Sequence, residues 1–476
     1  MTPRTIRFTL LGVMLAMLLA MLDNAIVGTA MPTIVGDLGG LAHISWVVTA
    51  YTLATAAATP VWGKFGDLLG RKRVFLTAVG VFLAGSVLSG AAQTMGQLIA
   101  FRAVQGLGAG GIAALAFALI GTLVSPRERG RYQGMTATVM AVGTIAGPLL
   151  GGVVAEHLGW RWAFYVNIPL GLLALAWCAI MLKLPATRAK AAVDWTGIAL
   201  MTVTICAIVL AATWAGAEYA WGSWQILSLA AVAVVGLALF VAAQRRAAEP
   251  VLPLRVFAER NFRLACVMVF CAGVVMFGAT LYLPLFQQIV QHASATNSGL
   301  LLLPMMVPIA LVSNVAGKVM SRTGRYKIFP ILGAGFLTVG CALLATMGTA
   351  TSPALTGAYS ALVGVGLGFL MQMTTTLAQN SVEMRDLGVA SAAVTLFRTI
   401  GGSLGVAVFG SLFTRATAGD LTSLQAVANG TQNIFLLAAV ACAVAFVAAL
   451  LVREVPLRGA PQPDSARTKS VSTSSA

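Results

Sequence analysis

Charged residues are scarce in this sequence, and their scarcity excludes most classes of protein. Asp, Glu, Lys and Arg make up 9% of the 476 residues, whereas hydrophobic residues make up 59%. A soluble domain carries about 25% charged residues. The chain therefore lacks the charge to cover a water-facing surface, which excludes a soluble enzyme, a coiled coil and a disordered protein. We expect an integral membrane protein.

Residues that build metal, disulfide and nucleotide sites are few or wrongly placed. The six cysteines lie inside apolar runs without CxxC spacing, and the three histidines lack metal-ligand spacing. No Walker A loop occurs, and the GxGxxG match at 106–111 lies inside an apolar run instead of after a strand. The sequence thus predicts no metal, no cofactor and no ATP-driven step.

The apolar residues gather into fourteen segments, which predict an all-α integral membrane protein. Each segment has about 20 residues or more, enough for a helix to cross a hydrocarbon core of about 30 Å. The segments are 8–31, 44–63, 74–94, 97–122, 133–156, 162–182, 195–216, 224–243, 263–286, 298–317, 328–348, 353–377, 388–413 and 432–452.

The basic residues predict the orientation of the chain. With the N-terminus in the cytoplasm, all but four of the 30 Lys and Arg residues fall in cytoplasmic loops and tails. Arg161 and Arg415 lie outside, and Arg102 and Arg398 lie within segments. This asymmetry is the positive-inside rule, so the net charge of +16 reflects topology and not a nucleic-acid partner. We expect a multi-pass protein of the inner (cytoplasmic) membrane with both termini cytoplasmic.

An internal repeat divides the chain. Residues 63–75 (GKFGDLLGRKRVF) align without a gap with residues 317–329 (GKVMSRTGRYKIF), and 144–147 (TIAG) resembles 399–402 (TIGG). We therefore predict two six-helix halves separated by two inserted helices. Repeated membrane halves are typical of alternating-access transporters, whose site lies between the repeats near the midplane. The predicted units are an N-terminal half at 1–190, an insertion with a cytoplasmic linker at 191–261, a C-terminal half at 262–455 and a disordered cytoplasmic tail at 456–476.

Four stretches together resemble the major facilitator superfamily. Residues 63–73 resemble its signature loop, 98–106 (LIAFRAVQG) its helix-4 motif, and 143–152 (GTIAGPLLGG) its helix-5 antiporter motif. Residues 22–34 (LDNAIVGTAMPTI) resemble the first-helix motif of the fourteen-span drug/proton antiporters of the QacA and EmrB type.

The resemblance implies a major facilitator fold and a monomer in the lipid bilayer. It also implies an antiporter that uses the proton gradient to export small drugs or other amphiphilic compounds, which we expect to be cationic. A dedicated exporter of one endogenous metabolite, lipid or antibiotic is the alternative. A membrane enzyme would need clustered carboxylates or histidines at a membrane face, and the sequence has no such cluster.

Asp23 is the strongest candidate for a proton-carrying residue. Of the 14 acidic residues it alone falls deep inside an apolar segment, where a charged carboxylate is costly. Its charged form would face a cationic substrate. The alternative is an Asp23 held by a partner such as Arg102, without titration. The resemblance gives Arg102 a role in proton relay, with a structural anchor as the alternative, and Arg398 either holds negative charge in a cavity or caps helix ends.

Two further motifs carry expectations. Gly63, Asp67, Gly70 and Arg71 predict a conformational latch in which Asp67 pairs with the neighbouring basic cluster; a basic loop that only fixes topology is the alternative. The helix-5 antiporter motif predicts close helix packing and a kink, with ordinary tight packing as the alternative. Its residues are Gly143, Gly147, Pro148 and Gly151.

Polar, aromatic and methionine side chains in the segments are candidates for substrate binding, because rings and thioethers suit varied apolar ligands. These candidates are Asn24, Trp46, Tyr51, Gln105, Tyr282, Phe286, Gln287, Asn314, Met371 and Gln372.

Overall fold

The chain is almost entirely helical in a computed structural model that describes residues 3–39, 44–182, 184, 193–216, 218–247, 249–293, 302–417 and 423–455. This confirms the all-α prediction. We number the helices of fifteen residues or more within the described residues. They are α1 (Pro3–Leu38), α2 (Ile44–Leu69), α3 (Arg71–Gly90), α4 (Met95–Leu123), α5 (Pro126–His157), α6 (Asn167–Met181), α7 (Trp195–Trp214), α8 (Trp224–Arg246), α9 (Arg260–Ile289), α10 (Leu303–Thr323), α11 (Ile328–Leu344), α12 (Pro353–Asn380), α13 (Leu387–Thr417) and α14 (Leu424–Leu450).

Eleven helices of the described chain are long and apolar enough to cross a membrane, and α2, α5 and α11 are the long helices outside this set. Helix α11 has 17 residues, a rise of about 26 Å. Helix α5 begins in a charged turn that includes Glu128 and Arg129. The number of fourteen spans therefore stays a prediction, while a multi-pass membrane protein is clear.

The helices pack as two sets with a peripheral pair. In the first set, α1 packs against α5 and α6, and α4 packs against α2 and α3. In the second set, α9 packs against α13 and α14, and α11 packs against α12 and α14. Helix α10 packs against α12 of the second set and also reaches across to α5 of the first. Helices α7 and α8 pack on each other, and α7 also contacts α2 and α13. The inserted pair thus touches both sets from one side.

Glycines on two faces of α4 fix its close contact with its neighbours. A Cβ on Gly106 would collide with the backbone of Tyr51 in α2, and one on Gly108 would collide with the backbone of Phe82 in α3. The GxGxxG match at 106–111 is therefore a helix-packing surface. Its consequence for the site is that α4 brings Arg102 deep between the helices of the first set.

The two copies of the repeated motif occupy equivalent places. Gly70 and its repeat Gly324 both have positive φ, 94° and 72°, which only glycine adopts without strain at these turns. Gly63 in α2 abuts the backbone of Gly388 in α13, while its repeat Gly317 in α10 abuts the backbone of Gly130 in α5. The two sets of helices thus meet at two crossings at the same end of the bundle. We call this end, with residues 63–71, 121–133 and 384–389, the latch end.

Candidate functional site

Asp23 lies at the centre of a buried hydrogen-bond network that joins α1, α4 and α6. Arg102 donates from Nη1 to Oδ2 of Asp23 at 2.6 Å. Gln105 Nε2 and Asn167 Nδ2 both donate to Oδ1, at 2.7 and 2.6 Å. All four side chains are 0% exposed. The Asp23 charge is therefore balanced by one guanidinium and by two amides.

The network shows what Asp23 is bound to in this conformation. Asp23 is held by Arg102 and does not face an open cavity, and its role as the proton-carrying residue stays a prediction. Arg102 also donates to Gln105 Oε1 at 2.7 Å, so Gln105 forms hydrogen bonds with both members of the pair. Its Nη2 atom has no partner within the described chain. The pair is thus neutral as a unit but retains one unused donor.

Asn167 is a functional candidate that the sequence analysis missed. Its Nδ2 atom donates both to Asp23 and, at 2.9 Å, to Ser86 Oγ in α3. The only signal in the sequence is an amide side chain within the apolar segment 162–182. Nothing in that signal tells which helix the amide meets.

The ring of Tyr51 joins this network to a cavity between the two sets of helices. The Arg102 guanidinium lies 4.1 Å from the ring centroid of Tyr51 and 5.9 Å from that of Phe164. Tyr51 belongs to the cavity wall as well. Asn24, adjacent to Asp23 in the chain, is another wall residue. Tyr51 and Asn24 therefore connect the Asp23 pair with the cavity wall.

The cavity has a volume of about 370 Å³ and is walled by four helices from each set. These are α1, α2, α4 and α5 from the first set and α9, α10, α12 and α13 from the second. Of the ten predicted substrate-binding residues, four line it: Asn24, Tyr51, Met371 and Gln372. Its wall also holds the rings of Phe117 and Phe277. Six methionines also line the cavity, namely Met17, Met21, Met140, Met276, Met306 and, already counted above, Met371.

The other six predicted substrate-binding residues lie outside the cavity wall. Trp46 packs edge-on against Trp214 of α7, with ring centroids 5.5 Å apart. Tyr282 packs against Phe409 and Phe413 of α13. Residue type alone does not reveal which side of an apolar helix a side chain occupies. Gln105 belongs to the Asp23 network, Phe286 and Gln287 are fully buried, and Asn314 donates to Thr138 Oγ1 of α5.

Arg398 is the only charged residue of the cavity wall within the described chain. Its guanidinium lies 6.0 Å from the ring centroid of Phe117 across the cavity. No hydrogen bond or ion pair joins its side chain to another described residue. The structure therefore places the Arg398 side chain in the cavity wall and away from the ends of α13.

Asp67 joins the two sets of helices at the latch end. It accepts hydrogen bonds from Arg71, 2.7 Å from Nη2 to Oδ1, and from the backbone N–H groups of Gly388 and Val389, at 3.2 and 3.1 Å. Those two N–H groups belong to the first turn of α13, where a carboxylate is favoured by the helix dipole. Arg71 in turn donates to the carbonyl of Met384 at 3.3 Å. The predicted charge pair thus also caps a helix of the opposite set.

Amide side chains close the space between the cavity and the latch. Gln379 of α12 donates to the carbonyl of Phe117 at 3.0 Å, and Gln133 of α5 donates to Gln379 at 3.2 Å. Thr376 donates to Gln133 at 2.6 Å. These contacts cross from one set of helices to the other below the cavity floor. The bundle is therefore closed at its latch end.

Comparison with known proteins decides the family. The model of the Major Facilitator Superfamily matches residues 13–406. The chain belongs to the major facilitator superfamily. An uncharacterized MFS-type transporter of Mycobacterium tuberculosis is 40% identical and is matched over 95% of this chain and 70% of its own length. The multidrug transporter protein MdtP of Bacillus subtilis is 36% identical, over 88% of this chain and 77% of its own.

Solved structures show the same fold. The proton:xylose symporter XylE superimposes with a TM-score of 0.65 at 13% identity, covering 92% of this chain and 95% of the symporter. The family match and the transporter relatives make this major facilitator protein a multi-pass secondary transporter and not an enzyme.

The helix-5 motif of this major facilitator protein packs on the helix that carries Asp23. A Cβ on Gly143 would contact Met21, one on Gly147 would collide with Ala25, and one on Gly151 would collide with Thr29. The glycines therefore let α5 lie directly against α1 on both sides of Asp23. Helix α5 continues without a break through Pro148, whose side chain lies outside the described part of the structure.

We predict that Gly317→Val abolishes transport by this major facilitator protein. The added side chain would collide with the backbone of Gly130, so α10 and α5 cannot close at the latch end. Uptake into proteoliposomes measures the effect, with a monodisperse chromatographic profile as evidence of folding. Gly80→Val in α3 is the control, because a Cβ there meets no atom within 4 Å. Transport at the wild-type rate in Gly317→Val would contradict the role of this crossing.

Proposed function

We propose that the protein is a fourteen-span proton antiporter that exports amphiphilic compounds by alternating access. One observation carries the proposal: a fully buried carboxylate network lies directly behind the wall of the cavity between the two sets of helices. Asn24 and Tyr51 link the two. The relatives named as multidrug transporter MdtP and multidrug resistance protein 3 support export.

The proton would act on the Asp23–Arg102 pair. A proton on Asp23 removes the counter-ion of Arg102, and a buried guanidinium without a counter-ion is strongly unfavourable. Arg102 must then find new acceptors, and it cannot move without moving the Tyr51 ring that lies 4.1 Å away. Because Tyr51 belongs to the cavity wall, protonation changes the shape of the substrate site.

The latch would set the direction in which the cavity opens. We place the latch end in the cytoplasm, because the Lys and Arg residues are concentrated in the loops at that end. The Asp67 contacts and the amide contacts of Gln133 and Gln379 then close the cytoplasmic side. In this conformation substrate would be released to the outside and a proton taken up there.

Reconstitution into proteoliposomes tests the proposal. The probe is pyrenebutanesulfonate, with pyrenebutyltrimethylammonium as its cationic counterpart; both charges are permanent, so a pH gradient does not redistribute them. An acidic lumen should drive at least one probe to accumulate inside the vesicles. Protons should leave the lumen in exchange, so an entrapped pH-sensitive dye should report a rise in the luminal pH. Equilibration without accumulation, or accumulation driven by an alkaline lumen, would reject antiport. Protein-free vesicles are the control.

A further inference from the structure

We infer that the cavity takes an anionic amphiphile whose acid group binds Arg398. The inference rests on the proposed function in that the cavity is taken as the substrate site. It replaces the cationic substrate expected from the sequence. The acid group would be a carboxylate, sulfonate or phosphate, and the rest of the molecule would be apolar and aromatic.

The charge balance of the cavity carries the inference. Arg398 is the single charged side chain of the wall among the described residues, and it faces the ring of Phe117 instead of a carboxylate. A charge removed from water is costly unless it is paired. Ion pairs with acid groups are the strongest contacts that a guanidinium forms. A ligand with an acid group would therefore supply what the wall lacks.

The same balance disfavours a cation. The acid nearest in the chain to the wall is Asp23, next to the wall residue Asn24, but Asp23 is fully buried and already bound to Arg102, Gln105 and Asn167. A cationic ligand would find no carboxylate in the described wall and would be repelled by Arg398. The cavity in this conformation therefore disfavours a cationic ligand.

The other residues of the cavity wall fit an acid group on an apolar body. Gln372 lines the cavity and is almost fully buried at 4% exposure, and its amide nitrogen is a hydrogen-bond donor. On the first set of helices, the Phe117 ring and the methionines Met17, Met21 and Met140 offer an adaptable apolar surface. An amphiphile would place its acid end at α13 and its ring system against α1, α4 and α5.

The backbone around Arg398 is held in place by close helix contact. A Cβ on Gly273 of α9 would collide with the Arg398 carbonyl oxygen, and one on Gly401 of α13 would collide with the backbone of Phe270. The turn of α13 that carries Arg398 is therefore pressed against α9. Such support keeps the guanidinium in the cavity instead of leaving it on a mobile segment.

Three probes with one ring system test the inference by equilibrium binding in nanodiscs, without any gradient. They are pyrenebutanesulfonate, pyrenebutanol and pyrenebutyltrimethylammonium, read by fluorescence anisotropy. Wild-type protein should bind the sulfonate about 10- to 100-fold more tightly than the alcohol, and the cation more weakly than both. Arg398→Gln should bind all three alike, and Arg398→Lys should keep part of the preference. Arg415→Gln is the control, an exposed arginine on the same helix.

The binding results of wild-type protein and of Arg398→Gln decide whether Arg398 binds the acid group. Equal or better binding of the cation by wild-type protein overturns the inference, as does an unchanged preference in Arg398→Gln. If Arg398 only supports the fold, Arg398→Gln will melt earlier and lose alcohol binding too, which also overturns it. We expect unchanged alcohol affinity and an unchanged melting temperature. Anion preference without gradient-driven uptake would keep this inference and reject the proposed antiport, so the two fail separately.

Discussion

Asp23→Asn is expected to reduce pH-gradient-driven uptake to the level of protein-free vesicles. Asparagine keeps the shape of the side chain but cannot gain or lose a proton, so the switch of the Asp23–Arg102 pair is frozen. Substrate exchange without a gradient should persist, because the substitution holds the pair in its uncharged-carboxyl form and removes no residue of the cavity wall. Gradient-driven transport and substrate counterflow in proteoliposomes measure the two activities separately.

The interpretation of Asp23→Asn needs a second variant, because the substitution leaves Arg102 buried without a counter-ion. Breaking a buried pair in this way costs about 3–5 kcal/mol. We therefore expect Asp23→Asn to lower the melting temperature and the double variant with Arg102→Gln to recover it, while both lose coupling. Asp37→Asn is the matched control on the same helix, since Asp37 is 60% exposed. Gradient-driven uptake that survives in the double variant would remove the pair from the mechanism.

Asp67→Asn is expected to shift the protein toward the conformation that is open at the latch end. The amide would lose the charge that binds Arg71 and that caps the first turn of α13 across the interface. Contributions of about 1–2 kcal/mol from such contacts correspond to a 5- to 30-fold change in the conformational equilibrium. Transport should slow because the closed state is less populated.

Distances between spin labels can measure this shift. Labels at Leu69→Cys and Met384→Cys occupy exposed side chains on opposite sides of the latch, in a background without the six native cysteines. The closed distance should dominate in the parent protein and a longer one should grow in Asp67→Asn. Glu383→Gln is the control, because the exposed pair of Glu383 with Arg385 contributes little. An identical distance distribution in the two proteins would show that Asp67 does not hold the latch.

The sequence allowed much of this fold and part of its site to be predicted, and the reasons are physical. The membrane-crossing helices can be recognised in the sequence, because every segment that crosses the hydrocarbon core must be apolar. Asp23 can be recognised for the same reason, since a single acidic residue inside an apolar segment is costly and therefore rare. The predicted helix ends were less accurate. Helix α5 begins at Pro126, well before the predicted apolar segment that starts at residue 133, because a helix can continue into a charged stretch beyond the membrane.

Which side of a helix meets which neighbour could not be read from the sequence. Tyr282 and Gln287 lie on helix α9, which is apolar on all sides, so no amphipathic stripe reports its orientation. Asn167 reaches Asp23 from a chain distance of 144 residues, a contact that only tertiary packing creates. Arg398 was recognised as a buried charge, but its lack of a carboxylate partner depends on all the helices around it.

Arg398, the one charged residue in the described part of the cavity wall, bears on how the protein responds to the voltage across the membrane. A monoanion that leaves while a proton arrives carries two units of charge through the electric field in the same sense. Each unit is worth about 2.3 kcal/mol per 100 mV, so the electrical driving force would be about 4.6 kcal/mol at that voltage. A cation exchanged for one proton would feel none of it. Export through this cavity would then be electrogenic and would continue where the two sides have equal pH.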